Sequence, residues 1–294
     1  MYSARNKSID TLRGFAVLLV ILAHLNYLLI SEIGFLYYGR FGVQIFFILT
    51  GYIFLQRDSL TNSKLFFKKR IVRLFPLYWI FILIFFLIES SVQGLLWEVL
   101  LLHSFNFSNP YGLVPGGWTI SIEWLFSIIL PLLYKFGNNA VNILLILFLI
   151  NSWLIRDLDP NGNDWFYMNP LNQLWIFVIP LIISNKRTLI LFLAALLASY
   201  LLNSSGRHLY LFAIGSMILS FGIDIFVKFG YNQNIIALIG RHSYGIYLVH
   251  FLLLEAALLA VNTCSRLIVI FLWILFSIYL GILADKWSQR VFKI

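Results

Sequence analysis

Apolar runs too long for a soluble core recur along the whole chain, and they decide what it folds into. A helix crosses a bilayer with about 20 mostly apolar residues, and with fewer where water or protein covers its ends. Windows of this kind lie at 14–31, 42–56, 74–92, 119–134, 138–154, 171–184, 188–203, 208–224, 235–262 and 266–284. Only 11% of the 294 residues are charged, against about 25% in a soluble domain. No water-soluble fold of this length hides so much Leu, Ile, Phe and Trp. A cytosolic enzyme, a nucleic-acid-binding protein and a disordered chain are thereby excluded. The expected fold is all-α: a polytopic transmembrane helical bundle of about ten spans.

The formal charge of +9 asks where the positives fall, because Lys and Arg in short loops set orientation. With the N-terminus in the cytoplasm, seventeen of the 21 Lys and Arg residues fall on inner segments, from Arg5, Lys7 and Arg13 through Lys64, Arg70 and Arg73 to Lys293. Arg40, Arg156, Arg207 and Arg266 fall outside. Both termini are therefore expected in the cytoplasm. The first apolar run lacks a small-residue cleavage site and reads as a retained helix, not a signal peptide. Cys264 is the single cysteine, so no intrachain disulfide or cysteine metal cluster forms.

Segments outside the spans are short. The larger outer ones are 93–118 and 155–170, the second with Asp157, Asp159 and Asp164, and the largest inner one is the basic 57–73. No internal repeat stands out, so residues 1–294 are expected to form a single integral-membrane domain with no separate soluble domain. Its chemistry must then use residues in or at the edge of the bilayer.

Ionisable groups within spans are expensive and become the functional candidates. They are His24, Glu89, Glu123, His250 and Glu255, with Arg13, Arg73, Arg241 and His242 near span ends. Arg13 and His24 are eleven residues apart, about three helical turns and roughly 16 Å, on one face. Asp10 is three residues before Arg13 and placed to pair with it. Two readings of His24 stay open, a catalytic imidazole and an interhelical hydrogen-bonding residue. Thr119, Glu123 and Ser127 recur every four residues and form a polar stripe after the turn-like LVPGGW. Ser243, Tyr247 and His250 share a face in RHSYGIYLVH. The inner segment KLFFKKRIVRLFPLYW suits both a positive-inside flank that attracts anionic lipid and the docking of a phosphorylated donor.

Five elements in order resemble the acyltransferase-3 family of polytopic membrane acyltransferases, over most of the chain. They are Arg13-Gly14 with His24; Gly42, Val43, Phe46, Phe47, Thr50, Gly51 and Tyr52; Arg70, Arg73, Leu74, Pro76 and Tyr78; Trp118, Thr119, Ile120, Glu123 and Phe126; and Ser243, Tyr244, Tyr247, Leu248 and His250. Thr50 and Thr119 replace the family's usual serines and keep a hydroxyl. Gln44 stands where an acidic residue is common, and residues 172–178 read NQLWIFV where an Arg/Glu-Phe-Gly pattern is expected.

The resemblance implies transfer of an acyl group, most often acetyl, from acyl-CoA to a hydroxyl of a cell-surface glycan or its lipid-linked precursor, in bacteria at the inner membrane. His24 would be the base, or a transient acyl carrier, and Glu123 would orient the sugar or the imidazole. Arg13, Arg70 and Arg73 would hold the CoA phosphates. Trp118, Ser243, Tyr244, Tyr247 and His250 would support acceptor binding. Acetyl-CoA is expected as a donor substrate, with no permanently bound cofactor and no metal; the partners are acyl-CoA, a carbohydrate acceptor and membrane lipid, not nucleic acid. Two other classes fit intramembrane His and Glu. One is a secondary transporter or flippase for a lipid-linked sugar or small solute, which paired repeats would favour. The other is a glycan polymerase, which calls for larger outer loops.

The charge asymmetry gives a direct test. Reporters fused near Lys64 and after Ile294 should read cytoplasmic, and one near Asp159 external; an external signal near Lys64 overturns the orientation.

Overall fold

The computed structural model describes residues 6–29, 33–55, 63–89, 94–106, 112–154, 168–202 and 207–292. Every regular element among them is helical. Arg5, Arg57, Arg156, Asp157, Asp159, Asp164 and Lys293 lie outside the described residues. The helices are α1 (Lys7–His24), α2 (Phe41–Leu55), α3 (Ser63–Glu89), α4 (Leu95–Val99), α5 (Gly117–Phe136), α6 (Asn138–Leu154), α7 (Pro170–Gln173), α8 (Ile179–Ser184), α9 (Lys186–Leu202), α10 (Arg207–Lys228), α11 (Asn234–Arg241), α12 (Ser243–Ala260) and α13 (Arg266–Val291). Four 3₁₀ stretches join them, at Leu25–Leu28, Gly34–Arg40, His103–Phe105 and Leu174–Val178.

Each apolar window of the sequence carries helix over its described residues, but not always as one rod. Lys7–Leu28, Lys64–Ile88, Ser243–Ala260 and Arg266–Val291 are long and apolar enough to cross a membrane. The chain is a membrane protein, all-helical among the described residues. The window at 171–184 is instead α7, a 3₁₀ turn and α8, because Pro180, which lacks an N–H, sits in the first turn of α8. The window at 235–262 breaks at His242, whose backbone leaves helical geometry (φ −107°, ψ 17°). Its imidazole Nδ1 lies 2.7 Å from Asp285 Oδ2 of α13.

α1 begins earlier than its apolar run. The Asn6 side chain accepts from the Ser8 N–H as an N-cap, which adds the polar segment from Lys7 to the helix. His24 is the last α-helical residue of α1, with the 3₁₀ stretch Leu25–Leu28 directly after it. Asp10 accepts from Arg241 Nε at 3.3 Å, because α11 approaches α1 closely enough to bring that cation to it. Asp10 thus has a tertiary partner on α11 that local spacing does not show.

The chain forms two compact units. The first is drawn from Met1–Phe46, Phe75–Phe81 and Gly222–Ile294. Its helices meet through small residues, as expected where dispersion and backbone proximity replace the hydrophobic effect. A Cβ at Gly240 would overlap the Asp10 carbonyl, and one at Gly14 would overlap that of Ile236, which holds α1 against α11. Gly245 and Gly281 bring α12 and α13 together in the same way. The second unit is drawn from Phe47–Leu74 and Ile82–Phe221. Its core stacks Phe177 between Phe47 (4.6 Å between centroids) and Phe126 (4.2 Å). The divergent NQLWIFV segment is therefore buried core.

Gly240→Val should destabilise the protein by roughly 1–3 kcal/mol through backbone overlap with Asp10, read as a lower melting midpoint in detergent. Gly222→Ala, with no atom within 4 Å of the added Cβ, should leave the midpoint unchanged or raise it.

Candidate functional site

α1 and α12 build one polar centre, in the first unit. His24 Nδ1 lies 2.7 Å from the carbonyl oxygen of Val20, one turn back. A carbonyl only accepts, so this bond places the proton on Nδ1 and leaves the lone pair on Nε2. The ring stands edge-on to Phe251 at 4.7 Å and to His250 at 5.2 Å, and Tyr27 stacks on it at 6.0 Å. His250 is fully buried. Neither of its ring nitrogens makes a hydrogen bond with the described residues. Tyr247 and Phe251 pack on His250 at 5.5 and 4.0 Å, and its carbonyl accepts from Trp273 Nε1 at 3.1 Å. Ser243 is buried at the start of the same helix. Arg13 is half-buried on α1, eleven residues before His24 in one unbroken helix.

The second polar centre lies within the second unit. Arg70 on α3 reaches Glu123 Oε1 at 3.0 Å with Nη2 and Ser127 Oγ at 2.8 Å with Nε. Ser127 also donates to the Glu123 carbonyl at 2.8 Å, and Thr50 Oγ1 donates to Glu123 Oε1 at 3.5 Å. Phe54 lies under the guanidinium at 4.9 Å. The Arg70 side chain is 4% exposed and that of Glu123 21%, so the arginine is committed to the carboxylate while the carboxylate keeps a face outward. Arg73, one turn on, is half-buried. Trp118 is buried, with its carbonyl accepting from Ser104 Oγ at 3.2 Å and its ring 6.4 Å from Phe47. The stripe expected on α5 is present, with Thr119 Oγ1 donating to the Gly116 carbonyl at 3.0 Å.

Sequence reasoning missed a knot of polar groups ahead of α5. Glu98 is buried, receives the Leu113 N–H on Oε1 and lies 3.3 Å from His103 Nδ1 through Oε2. Ser121 Oγ donates to the Leu101 carbonyl at 2.7 Å. Lone ionisable residues in the apolar run LLWEVLLLHSF were the available signal. Phe251, which contacts His24, carried no such mark. Among the described residues, no three His, Cys, Asp or Glu side chains converge as a metal-binding group.

Comparison with known proteins follows the same residues. Residues 6–285 match the family model described as an acyltransferase domain. A protein of Acidianus two-tailed virus named "Putative acetyltransferase ORF330" is 27% identical over 274 residues, covering 84% of this chain and 83% of that protein. No solved structure gives a significant match.

Burial pushes His103 from its ordinary 6.5 down to about 4, against an opposing pull from the Gly117 carbonyl. The unfolded chain therefore binds the proton first. Stability from the neutral ring is complete above pH 6.5 and is lost as pH falls toward 4, by up to roughly 3 kcal/mol. In His103→Gln the acid limb of the melting curve between those values should flatten; an unchanged slope would show that other groups set it.

Proposed function

The chain belongs to the acyltransferase-3 family, and from that premise we propose that it is a membrane O-acyltransferase moving an acyl group, acetyl by preference, from acyl-CoA to a hydroxyl of a cell-surface glycan or its lipid-linked precursor. The observation that carries the assignment is the His24 geometry within a family match that spans most of the chain. A sugar hydroxyl is a weak nucleophile, and attack on a thioester needs a base to take its proton as the bond forms. With Nδ1 occupied by the Val20 carbonyl, Nε2 is that base. The bond to Val20 also holds the ring in place for catalysis. Transient acylation of the same nitrogen is the alternative route.

The other residues divide by accessibility. Arg13 and Arg73 are assigned to the donor phosphates. Arg70 is assigned to Glu123, because a buried guanidinium bonded to a carboxylate and a hydroxyl is a positioning group rather than a docking one. Glu123, with one face outward, accepts a hydroxyl of the sugar. Trp118, Ser243, Tyr244 and Tyr247 support the acceptor, and His250 packs against the His24 ring. In this reading the chain acts as one membrane domain of about ten spans in the cytoplasmic membrane, with both termini on the side where CoA is available.

The test compares glycans from deletion and complemented cells by mass spectrometry. A mass step of one acyl group, lost in the deletion, supports the assignment. Unchanged glycan masses with failed export would point to a flippase. His24→Ala should lower acyl transfer by about 10² to 10⁴ while the protein accumulates normally in the membrane. Near-normal acylation would remove His24 from the chemistry.

A further inference from the structure

Beside the His24 end of α1, the structure displays aromatic side chains outward in a way the chemistry above does not use. Tyr27, Phe35, Tyr37 and Tyr38 are 66, 71, 58 and 65% exposed. They sit on two 3₁₀ stretches, Leu25–Leu28 and Gly34–Arg40. Two devices fix the second stretch to α1. Asn26 pairs with both backbone groups of Ile33, donating from Nδ2 to its carbonyl at 3.3 Å and accepting its N–H on Oδ1 at 3.1 Å. At the other end, Gly39 lies so close to α1 that a Cβ would overlap the Leu19 carbonyl and press on Ala23. The aromatic segment is thereby anchored within about one turn of His24.

The rings on it are arranged rather than scattered. Tyr38 lies parallel to Phe41 at 6.5 Å and edge-on to Tyr37 at 6.3 Å. The Arg40 guanidinium covers one side of the Tyr37 ring at 4.2 Å. Tyr27 stacks on the His24 imidazole itself, and Gly39 brings the segment that carries Tyr37 and Tyr38 against the last turns of the same helix. Three of the four exposed rings are tyrosines, each with an apolar face and a hydroxyl at its edge. A pyranose has the matching pair of surfaces: an apolar face of axial C–H bonds and a rim of hydroxyls.

We propose that Tyr27, Tyr37 and Tyr38, with Arg40 over one side of the Tyr37 ring, form a further acceptor subsite, a stacking surface that takes a sugar ring of the glycan and delivers its hydroxyl to His24 Nε2. Phe35 extends the apolar floor. The inference rests on the acyltransferase reading for the identity of the ligand, and on the anchored geometry for its place.

The test uses full-length protein in nanodiscs with radiolabelled acetyl-CoA, and glycolipid extracted from the producing strain's own membranes as the acceptor probe. Tyr37→Leu and Tyr38→Leu keep apolar bulk without a ring; Tyr37→Trp and Tyr38→Trp keep a stacking face. Each Leu variant should raise the half-saturating glycolipid concentration about tenfold and leave that of acetyl-CoA unchanged, and the Trp variants should resemble wild type. Equal glycolipid dependence in wild type and Leu variants would reduce these rings to headgroup-level anchors and overturn the proposal. A second arm measures retention of the same glycolipid on immobilised protein without donor. If the wild type transfers no label, the acyltransferase reading fails on its own. Retention still decides the platform: ring-dependent retention upholds it, and equal retention in wild type and Leu variants overturns it.

Discussion

A polar group away from water must find its partner inside the protein, and in a chain this apolar that requirement organises the rest. Arg70 illustrates it most fully. An isolated guanidinium at its depth would be prohibitive, yet Glu123, Ser127 and the face of Phe54 surround it. Such a pair adds little net stability compared with apolar replacements, and removing one member is costly. Its value lies in fixing where the carboxylate points. The same rule accounts for Asp10 with Arg241, and for His242 with Asp285, which also accepts from Gln289 at 2.6 Å.

These pairings explain where sequence reasoning succeeded and where it stopped. Every apolar window was legible as helix because hydropathy is a property of the residues alone. His24, His250 and Glu123 were legible because an ionisable group in such a run has few explanations. What stayed hidden was set by chain distant in sequence. The His242 imidazole at the break meets a carboxylate 43 residues later, and the contact of Arg241 with Asp10 spans 231 residues. Local spacing pointed Asp10 toward Arg13, and the close approach at Gly240 brings a further partner that no local pattern contains. The Asn6 cap, by contrast, was within reach of local rules.

The family motifs acquire physical meaning in the same terms. Thr50 in place of a serine keeps a hydroxyl near Glu123 Oε1, so the substitution preserves the contact. The NQLWIFV segment departs from the expected pattern and is packed throughout. Phe177 stacks in the aromatic core, and its carbonyl would overlap a Cβ at Gly51. That departure alters what fills the core, whereas the elements around His24 and Glu123 retain their polar atoms.

The two imidazoles of the first unit show how differently one residue type is used within a few ångströms. His24 spends Nδ1 on a backbone carbonyl of its own helix and so acquires a defined tautomer, with Nε2 as its basic atom. His250 makes no hydrogen bond to the described residues from either nitrogen and is fully buried. An unmet buried donor or acceptor costs about 1–3 kcal/mol. A phenylalanine would fill comparable space without that cost, so packing alone does not account for a histidine there. Its ring stands edge-on to the one imidazole whose charge changes during acyl transfer in the proposed reaction. A polarisable ring with polar atoms at its edge is a better neighbour for a transient imidazolium than a hydrocarbon. Proximity to His24 thus supplies the missing reason for keeping a polar group where the rest of the fold excludes them.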